Sequence, residues 1–346
     1  MPKITPKLAA SVALCASLFH LPATFAAAES MKIVVHGYPG SLISLYPKLG
    51  IEYGFYKAEG LEATTLDIIS GPEANAALAG GSVNFVLNTN DNLILAQARG
   101  LDVVAVVGNQ TRNFYSLVAA KGLGIKPGTP YKDVMKALVG KRIGINASGT
   151  NNNRFAMELF SSAGIDPSQA SFVVVGAPPG AIAALASGQA DAILNWEPFQ
   201  TVATLTGKGN VVVDCRVPGQ CPEALEKPGT AFQSYYTSKK FLTANPKAVE
   251  AFVRAHVKID AWVHDPANRA KVIEAVKKVV PAPSGLDISA DEYAKSVLDG
   301  SLPAFGVTID PAGLEAWNRQ LVDYKLISAP VPVKDILWEK APTPKR

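Results

Sequence analysis

Cysteine and histidine, the side chains that most often bind transition metals, are scarce in this chain. There are three cysteines and four histidines among 346 residues. Cys215 and Cys221 flank the turn-forming segment RVPGQ, and in an oxidising compartment such a pair favours a disulfide. A zinc site would need further ligands that this pair does not supply. We therefore expect a disulfide, no metal and no cofactor.

Sequence motifs of common enzyme classes are also missing. The chain has no Gly-x-Ser-x-Gly elbow, no His-Glu-x-x-His motif, no P-loop and no Ser/His/Asp constellation. His256, Asp260 and His264 are spaced four apart and would share one stripe of a helix. Metal ligation is one interpretation of this spacing, but the apolar neighbours favour a packed core histidine. We expect a protein that is not an enzyme and has no catalytic residues.

The chain also has little excess of charge. It contains 33 basic and 29 acidic residues, a net charge of +4. Residues 1–28 hold two lysines and no acid, so the remainder carries 31 against 29, or +2. This balance gives no indication of a nucleic-acid partner. A hydrophobic content of 48% over this length instead favours a packed protein of two domains.

The N-terminus has the pattern of a secretory signal peptide. Lys3 and Lys7 precede an apolar run from Leu8 to Leu21, and small residues follow as far as Ala28. We expect cleavage near Ala26 to Ala28. A retained membrane anchor is the alternative, but the apolar run is interrupted by His20 and is short for a membrane span. The sequence therefore predicts a soluble exported protein.

One stretch of sequence occurs twice. Residues 76–88 read AALAGGSVNFVLN and residues 183–195 read AALASGQADAILN, with seven of thirteen positions identical at an offset of 107. Each copy predicts a helix that ends at a glycine, Gly81 or Gly188, followed by a strand that ends at an asparagine. Such a large offset favours two lobes of similar architecture over a short-period solenoid.

Short apolar runs alternate with helical runs on both sides of this duplication, which predicts an α/β fold. We expect each lobe to contain a mainly parallel sheet flanked by helices. Crossovers near residues 109–119 and 229–237 would form a hinge. Lobe one then comprises residues 29–112 and 233–346, and lobe two comprises residues 113–232. The predicted strands are 31–36, 61–69, 103–108, 141–147, 172–176, 211–214 and 232–237, and a long amphipathic helix is predicted over 245–265.

Four segments in this order resemble a known family. They read LGIEYGFYKAEGLEATTLDIISGPEANAALAGGSVNFVL, ALVGKRIGINASGT, AIAALASGQADAILNWEPF and SKKFLTANPKAVEAFVRA. Together, across about residues 31–265, they resemble the periplasmic solute-binding proteins of ABC importers in the nitrate, sulfonate and taurine group. The relatives of that group include the pyrimidine-binding, THI5-like proteins.

The resemblance implies a hinged, two-lobed periplasmic-binding-protein fold of type II, and a function. The protein would be a periplasmic monomer that closes on a small polar or anionic organic solute, like a sulfonate, nitrate or taurine. It would then deliver the solute to an ABC permease in the inner membrane. Three alternatives stay open: a binder of an aminopyrimidine, the precursor of thiamine; a THI5-like pyrimidine synthase; and a sensing domain that docks on a membrane receptor.

Ligands of open α/β sheets bind beyond the carboxyl ends of the strands. The loops at those ends therefore supply the candidate ligand-binding residues. They are Tyr38, Pro39, Gly40, Gly71, Glu73, Asn88, Thr89, Asn90, Ser148, Gly149, Thr150, Asn151, Pro178, Trp196 and Glu197.

Some of these candidates have two interpretations. The helix start at Ser148 to Asn151 can bind an anion through free backbone N–H groups, or Ser148 or Thr150 can merely cap the helix. Trp196 and Tyr38 can line the cleft or belong to ordinary packing. Glu197 can accept hydrogen bonds from a ligand or hold its own loop in place.

Overall fold

The computed structural model describes residues 1–2 and 30–345. The predicted signal peptide, including its cleavage site, lies almost wholly outside these residues. Between residues 30 and 345, the chain forms ten strands, most of which are connected by helices. The strands are β1 (Met31–Gly37), β2 (Leu61–Asp67), β3 (Val86–Thr89), β4 (Val103–Gln110), β5 (Ser116–Ala120), β6 (Arg142–Ile145), β7 (Ser171–Val174), β8 (Ala192–Asn195), β9 (Gly209–Asp214) and β10 (Gln233–Ser238).

The helices of the same region cover the sheets. They are α1 (Leu45–Glu52), α2 (Phe55–Ala58), α3 (Gly71–Ala79), α4 (Asn90–Ala98), α5 (Tyr131–Ala137), α6 (Asn151–Ser162), α7 (Pro178–Ser187), α8 (Phe199–Leu205), α9 (Glu223–Glu226), α10 (Lys239–Ala244), α11 (Pro246–His264), α12 (Arg269–Val279), α13 (Ala290–Ser301), α14 (Pro311–Asp323) and α15 (Val333–Ile336). Of the described helices, none is long and apolar enough to span a membrane.

The strands form two layers with the same order. In the first, β1 pairs with β2 in parallel, β10 pairs antiparallel with both β3 and β4, and a parallel bridge from Val35 to Phe85 joins β1 to β3. The resulting order is β2-β1-β3-β10-β4. The second layer has the order β7-β6-β8-β5-β9. There β6 is parallel to β7 and β8, while β5 is antiparallel to β8 and β9.

One antiparallel strand lies inside each layer, β10 in the first and β5 in the second, while the other four strands of each layer run in one direction. The chain reaches β5 directly after β4, so Ser116–Ala120 enters the second layer. The sequence predicts a crossover in this segment rather than a strand. Its five residues are too few to show a periodicity, and the strand is defined by pairing with β8 and β9, which are distant in sequence.

The duplicated stretch occupies the same place in both layers, where it forms α3 and β3 in one and α7 and β8 in the other. Before β3, Asn84 donates its backbone N–H to Val34 O at 2.8 Å and accepts Val34 N–H on Oδ1 at 2.7 Å. Before β8, Asp191 makes the same two bonds with Arg142, at 2.9 and 2.8 Å. The repeated polar residue therefore joins β3 to its neighbour β1 in one layer and β8 to its neighbour β6 in the other.

Helix α11 packs one apolar stripe on the first layer. The stripe is spaced three and four residues apart and consists of Val249, Phe252, His256, Ile259 and Val263, all buried. The Phe252 ring stacks on Phe85 with a centroid distance of 3.8 Å. The predicted helix over 245–265 is thus confirmed.

The chain after α13 returns to strand β4. Gly108 N–H donates to Val307 O at 2.9 Å, and Trp338 N–H donates to Ala105 O at 3.0 Å. A Cβ at position 108 would lie 2.5 Å from Thr308 O, a backbone atom with little freedom to move. A glycine is therefore required where this segment crosses the strand.

We predict that Gly108→Ala lowers the free energy of unfolding by about 1–3 kcal/mol, because the methyl group would overlap the backbone of residue 308. Urea unfolding followed by circular dichroism measures the change. Gly122→Ala is the matched control, because a Cβ there has no neighbour within 4 Å. Equal stability of the two variants would contradict the docking of the C-terminal segment on β4.

Candidate functional site

A cavity lies between the two layers, at the carboxyl ends of their strands. Its empty space is about 440 Å³ when the open solvent at its mouth is included. Both layers contribute to its wall. The lining residues are Tyr38, Ile43, Ile69, Ser70, Gly71, Pro72, Asn88, Thr89, Asn92, Phe114, Tyr115, Asn146, Thr150, Asn151, Asn152, Trp196 and Gln233.

The starts of three helices face this cavity. Gly71 begins α3, Asn90 follows the lining residue Thr89 at the start of α4, and Asn151 begins α6. The first N–H groups of a helix have no partner within the helix, and the helix dipole places partial positive charge there. The side chain of Thr150 caps one of these groups by accepting Asn153 N–H at 3.4 Å. Two more are also paired, because Glu73 N–H donates to Ser70 Oγ at 3.4 Å and Asn90 N–H donates to Phe232 O at 3.1 Å. The remaining first-turn N–H groups can donate to a ligand.

Asn151 is the polar residue whose side chain most needs a ligand. Only 3% of its surface is exposed. Its amide nitrogen and its amide oxygen are both buried, and neither has a hydrogen-bond partner among the described residues. Since an unpaired buried polar group is costly, a molecule in the cavity would relieve this cost by bonding to Asn151.

Aromatic rings form the apolar part of the wall. Phe114 and Tyr115 lie with their ring centroids 6.1 and 5.9 Å from that of Trp196. The Trp196 indole N–H donates to Ser41 Oγ at 2.7 Å. This bond links the two layers and fixes the orientation of the indole. Tyr38 adds a fourth ring from the loop after β1.

No lysine, arginine, aspartate, glutamate or histidine belongs to the cavity lining formed by the described residues. Two buried acids that adjoin lining residues in sequence are paired with arginines. Asp91, next to the lining residue Asn92, is fully buried and forms an ion pair with Arg154 of α6. This pair also bridges the two layers, because α4 belongs to the first and α6 to the second.

A second buried ion cluster lies behind Trp196. Arg216 Nη1 donates to Glu197 Oε1 at 2.7 Å, Nη2 donates to Asp214 Oδ2 at 2.8 Å, and Nη1 also reaches Gly300 O at 3.0 Å. Burial raises the pKa of Glu197, and the charge of Arg216 opposes this effect. Burial alone would also raise the pKa of Asp214, but the bonds and charge of Arg216 lower it overall.

A family model matches more than half of this chain. The family model described as NMT1/THI5 like matches residues 48–268. The chain belongs to the NMT1/THI5-like family. No curated protein sequence matches it.

Solved structures of similar shape have low sequence identity to this NMT1/THI5-like chain. The alkanesulfonate-binding protein SsuA of Xanthomonas axonopodis pv. citri, bound to MOPS, has a TM-score of 0.70 at 19% identity, over 90% of this chain and 99% of that one. The aliphatic sulphonate binding protein SsuA of Escherichia coli has a TM-score of 0.68 at 17% identity, over 90% and 98%. The nitrate-binding protein NrtA of Synechocystis PCC 6803 has a TM-score of 0.67 at 13% identity, over 89% of this chain and 86% of that one. The fold is therefore that of periplasmic binding proteins.

The structure places some of the predicted ligand residues on the cavity wall and others away from it. Those on the wall are Tyr38, Gly71, Asn88, Thr89, Thr150, Asn151 and Trp196. Those outside the lining are Pro39, Gly40, Glu73, Asn90, Ser148, Gly149, Pro178 and Glu197.

The residues outside the lining have other surroundings. Glu73, Ser148 and Gly149 are exposed to solvent. Asn90 is buried, and its amide nitrogen donates to Ala231 O at 2.8 Å. Glu197 accepts bonds from Arg216 and from Thr201 N–H, the latter at 3.2 Å, which corresponds to the interpretation that it holds its own loop.

Four carboxamide residues on the wall were missed by the sequence analysis. Asn92 lies in the first turn of α4, Asn146 follows β6, Asn152 follows Asn151, and Gln233 begins β10. A systematic search of every strand end and helix start for amide side chains would have found Asn92, Asn146 and Asn152. Gln233 had no such signal, because its position depends on the antiparallel direction of β10.

The structure also places the cysteines and the spaced histidines. Cys215 and Cys221 form a disulfide. His256 is buried, its Nδ1 lies 3.0 Å from Phe252 O, and burial lowers its pKa to about 4. Among the described residues, no group of three or more metal-binding side chains occurs. His256 is therefore a packed core histidine.

We predict that Arg216→Met lowers the free energy of unfolding by about 3–5 kcal/mol, because it leaves two buried carboxylates without their cation. The control is Arg142→Met. It breaks an ion pair with Asp191 in which the arginine side chain is 47% exposed, so we expect a loss below about 1 kcal/mol. Urea unfolding at neutral pH measures both. A loss at Arg216 no larger than at Arg142 would contradict a structural role for the cluster.

Proposed function

We propose that this protein is the solute-binding subunit of an ABC importer. It captures a small polar or anionic organic solute in the periplasm and delivers it to a permease in the inner membrane, acting as a monomer without catalysis. The cavity carries this proposal: both layers line it, three helix starts face it, and the buried Asn151 amide lacks a partner there.

Closure of two lobes is the second part of the proposal. Lobe one comprises residues 29–112 and 233–346, and lobe two comprises residues 113–232. The chain passes between the layers twice, from β4 to β5 and from β9 to β10, and two such connections suit a hinge. The Trp196 to Ser41 hydrogen bond and the Arg154 to Asp91 ion pair then join the lobes in a closed state.

Two further observations support capture over chemistry. The three solved structures compared above are named as sulfonate- or nitrate-binding proteins. In the described part of the chain, the cavity wall also offers no carboxylate, histidine, cysteine or lysine for acid, base or nucleophilic catalysis. Its amide groups can bind a solute without changing it.

The test is a calorimetric and thermal-shift screen with four ligand classes: sulfonates including taurine, nitrate, aromatic carboxylates and aminopyrimidines. We predict that one class binds and stabilises the protein by about 2.7 kcal/mol at one hundred times the dissociation constant. Small-angle scattering should show a smaller radius of gyration with the ligand than without it.

Matched variants separate cleft binding from binding elsewhere. Trp196→Ala should weaken binding while the protein stays folded, whereas Trp262→Ala should leave affinity unchanged, because Trp262 packs against Tyr53 outside the cavity. No stabilisation by any class would contradict the proposal. Binding of aminopyrimidines alone would favour the thiamine-precursor alternative, and an absorbance band from bound pyridoxal or iron would favour a synthase.

A further inference from the structure

We infer that the solute is an aryl acid: a flat aromatic ring that carries an anionic carboxylate or sulfonate and, next to it, a hydrogen-bond donor such as an amino group. The inference rests on the proposed binding function and specifies its ligand. It follows from the meeting of an aromatic wall with the unpaired amide of Asn151 at the start of α6.

Contacts within the protein fix the orientations of the aromatic rings that line the cavity. Phe114 meets the Trp196 ring edge to face, at an interplanar angle of 82°, and Tyr115 is tilted against it at 57°. The hydrogen bond to Ser41 holds the indole in place. Rings in fixed orientations favour a flat ligand ring that stacks offset or edge-on. A short alkyl chain would leave most of this wall without contact.

The cavity wall offers the anionic group of the ligand partial positive charge, but no lysine ammonium or arginine guanidinium group among the described residues. The starts of α3, α4 and α6 supply this partial charge through the positive ends of their helix dipoles and through those first-turn N–H groups that are not already bonded. The buried acid Asp91, which adjoins the lining residue Asn92, is neutralised by Arg154. Spread donors of this kind suit an anion whose charge is shared among several oxygens, as in carboxylates and sulfonates.

The Asn151 side chain accounts for the third feature of the ligand, the hydrogen-bond donor next to the acid. Its amide nitrogen needs an acceptor and its amide oxygen needs a donor, because both atoms are buried and unpaired. An acid oxygen satisfies the nitrogen. The oxygen requires a donor beside the acid, which an unsubstituted ring or a simple alkanesulfonate with no amino group does not offer.

A matched ligand series tests each feature by calorimetry at neutral pH. The probes are 2-aminobenzoate and 2-aminobenzenesulfonate, which carry all three features. Benzoate lacks the donor, 2-aminobenzamide lacks the charge, 2-hydroxycyclohexanecarboxylate keeps a neutral donor and the charge but lacks the aromatic ring, and taurine is a small aliphatic sulfonate. We expect one of the two probes to bind at least about 10-fold more tightly than each of the other four, as the loss of one hydrogen bond or stacking contact predicts.

Two variants connect this preference to the residues. Asn151→Asp removes the donor and adds a negative charge, so affinity for the better probe should fall about 100-fold or more. Phe114→Leu keeps an apolar side chain but removes the ring, and a loss of about 10-fold is expected. Phe241→Leu, outside the cavity, is the control and should change nothing. Thermal unfolding of each variant checks that it is folded.

The outcomes distinguish the inference from the function on which it rests. If taurine binds more tightly than both aminoaryl acids, or if 2-aminobenzamide binds as well as they do, the ligand class is wrong while solute binding stands. Unchanged affinity in a folded Asn151→Asp variant would also overturn the inference. If neither these ligands nor any class in the wider screen binds, the proposed function fails with it.

Discussion

The first N–H groups of a helix cannot bond within that helix, and the cavity of this protein depends on that constraint. Three helices, α3, α4 and α6, begin where the strands of the two layers end. Their unpaired donors need partners from outside the helix. A wall of aromatic rings keeps much of the same space from water. Together these features create a small volume that favours a polar, negatively charged molecule without a cationic side chain.

Buried charge is arranged so that it does not disturb this volume. Asp91 is fully buried next to the wall, but Arg154 pairs with it from the opposite layer. Glu197 follows Trp196 directly, and Arg216 draws its carboxylate away from the cavity. In each case an arginine neutralises an acid that would otherwise repel an anion. The same arginines connect separate parts of the fold, Arg154 joining α6 to α4 and Arg216 joining the Glu197 loop to Gly300. A substitution of either arginine would therefore change both the charge near the cavity and the packing of these parts.

Much of this architecture could be predicted from the sequence. Helix α11 has a clear apolar period, and the duplicated stretch marks equivalent strands in the two layers. Strand β5 could not be predicted, because its five residues form a strand only by pairing with β8 and β9, which lie far along the chain. The residues in and around the site also include some that the sequence predicts and others that it does not. Trp196 and Asn151 follow from the position of strand ends, whereas the partner of Glu197 is Arg216, nineteen residues later, and no local pattern connects the two.

Hydrogen exchange measured with and without the bound solute tests the central claim most directly. The claim is that strand ends and helix starts of both layers hold one molecule. It predicts slower exchange on binding in peptides that cover residues 70–74, 88–92 and 150–154 together, with no change in α12 on the outer surface. Protection confined to the loops of one layer, or found only away from all three helix starts, would contradict the account.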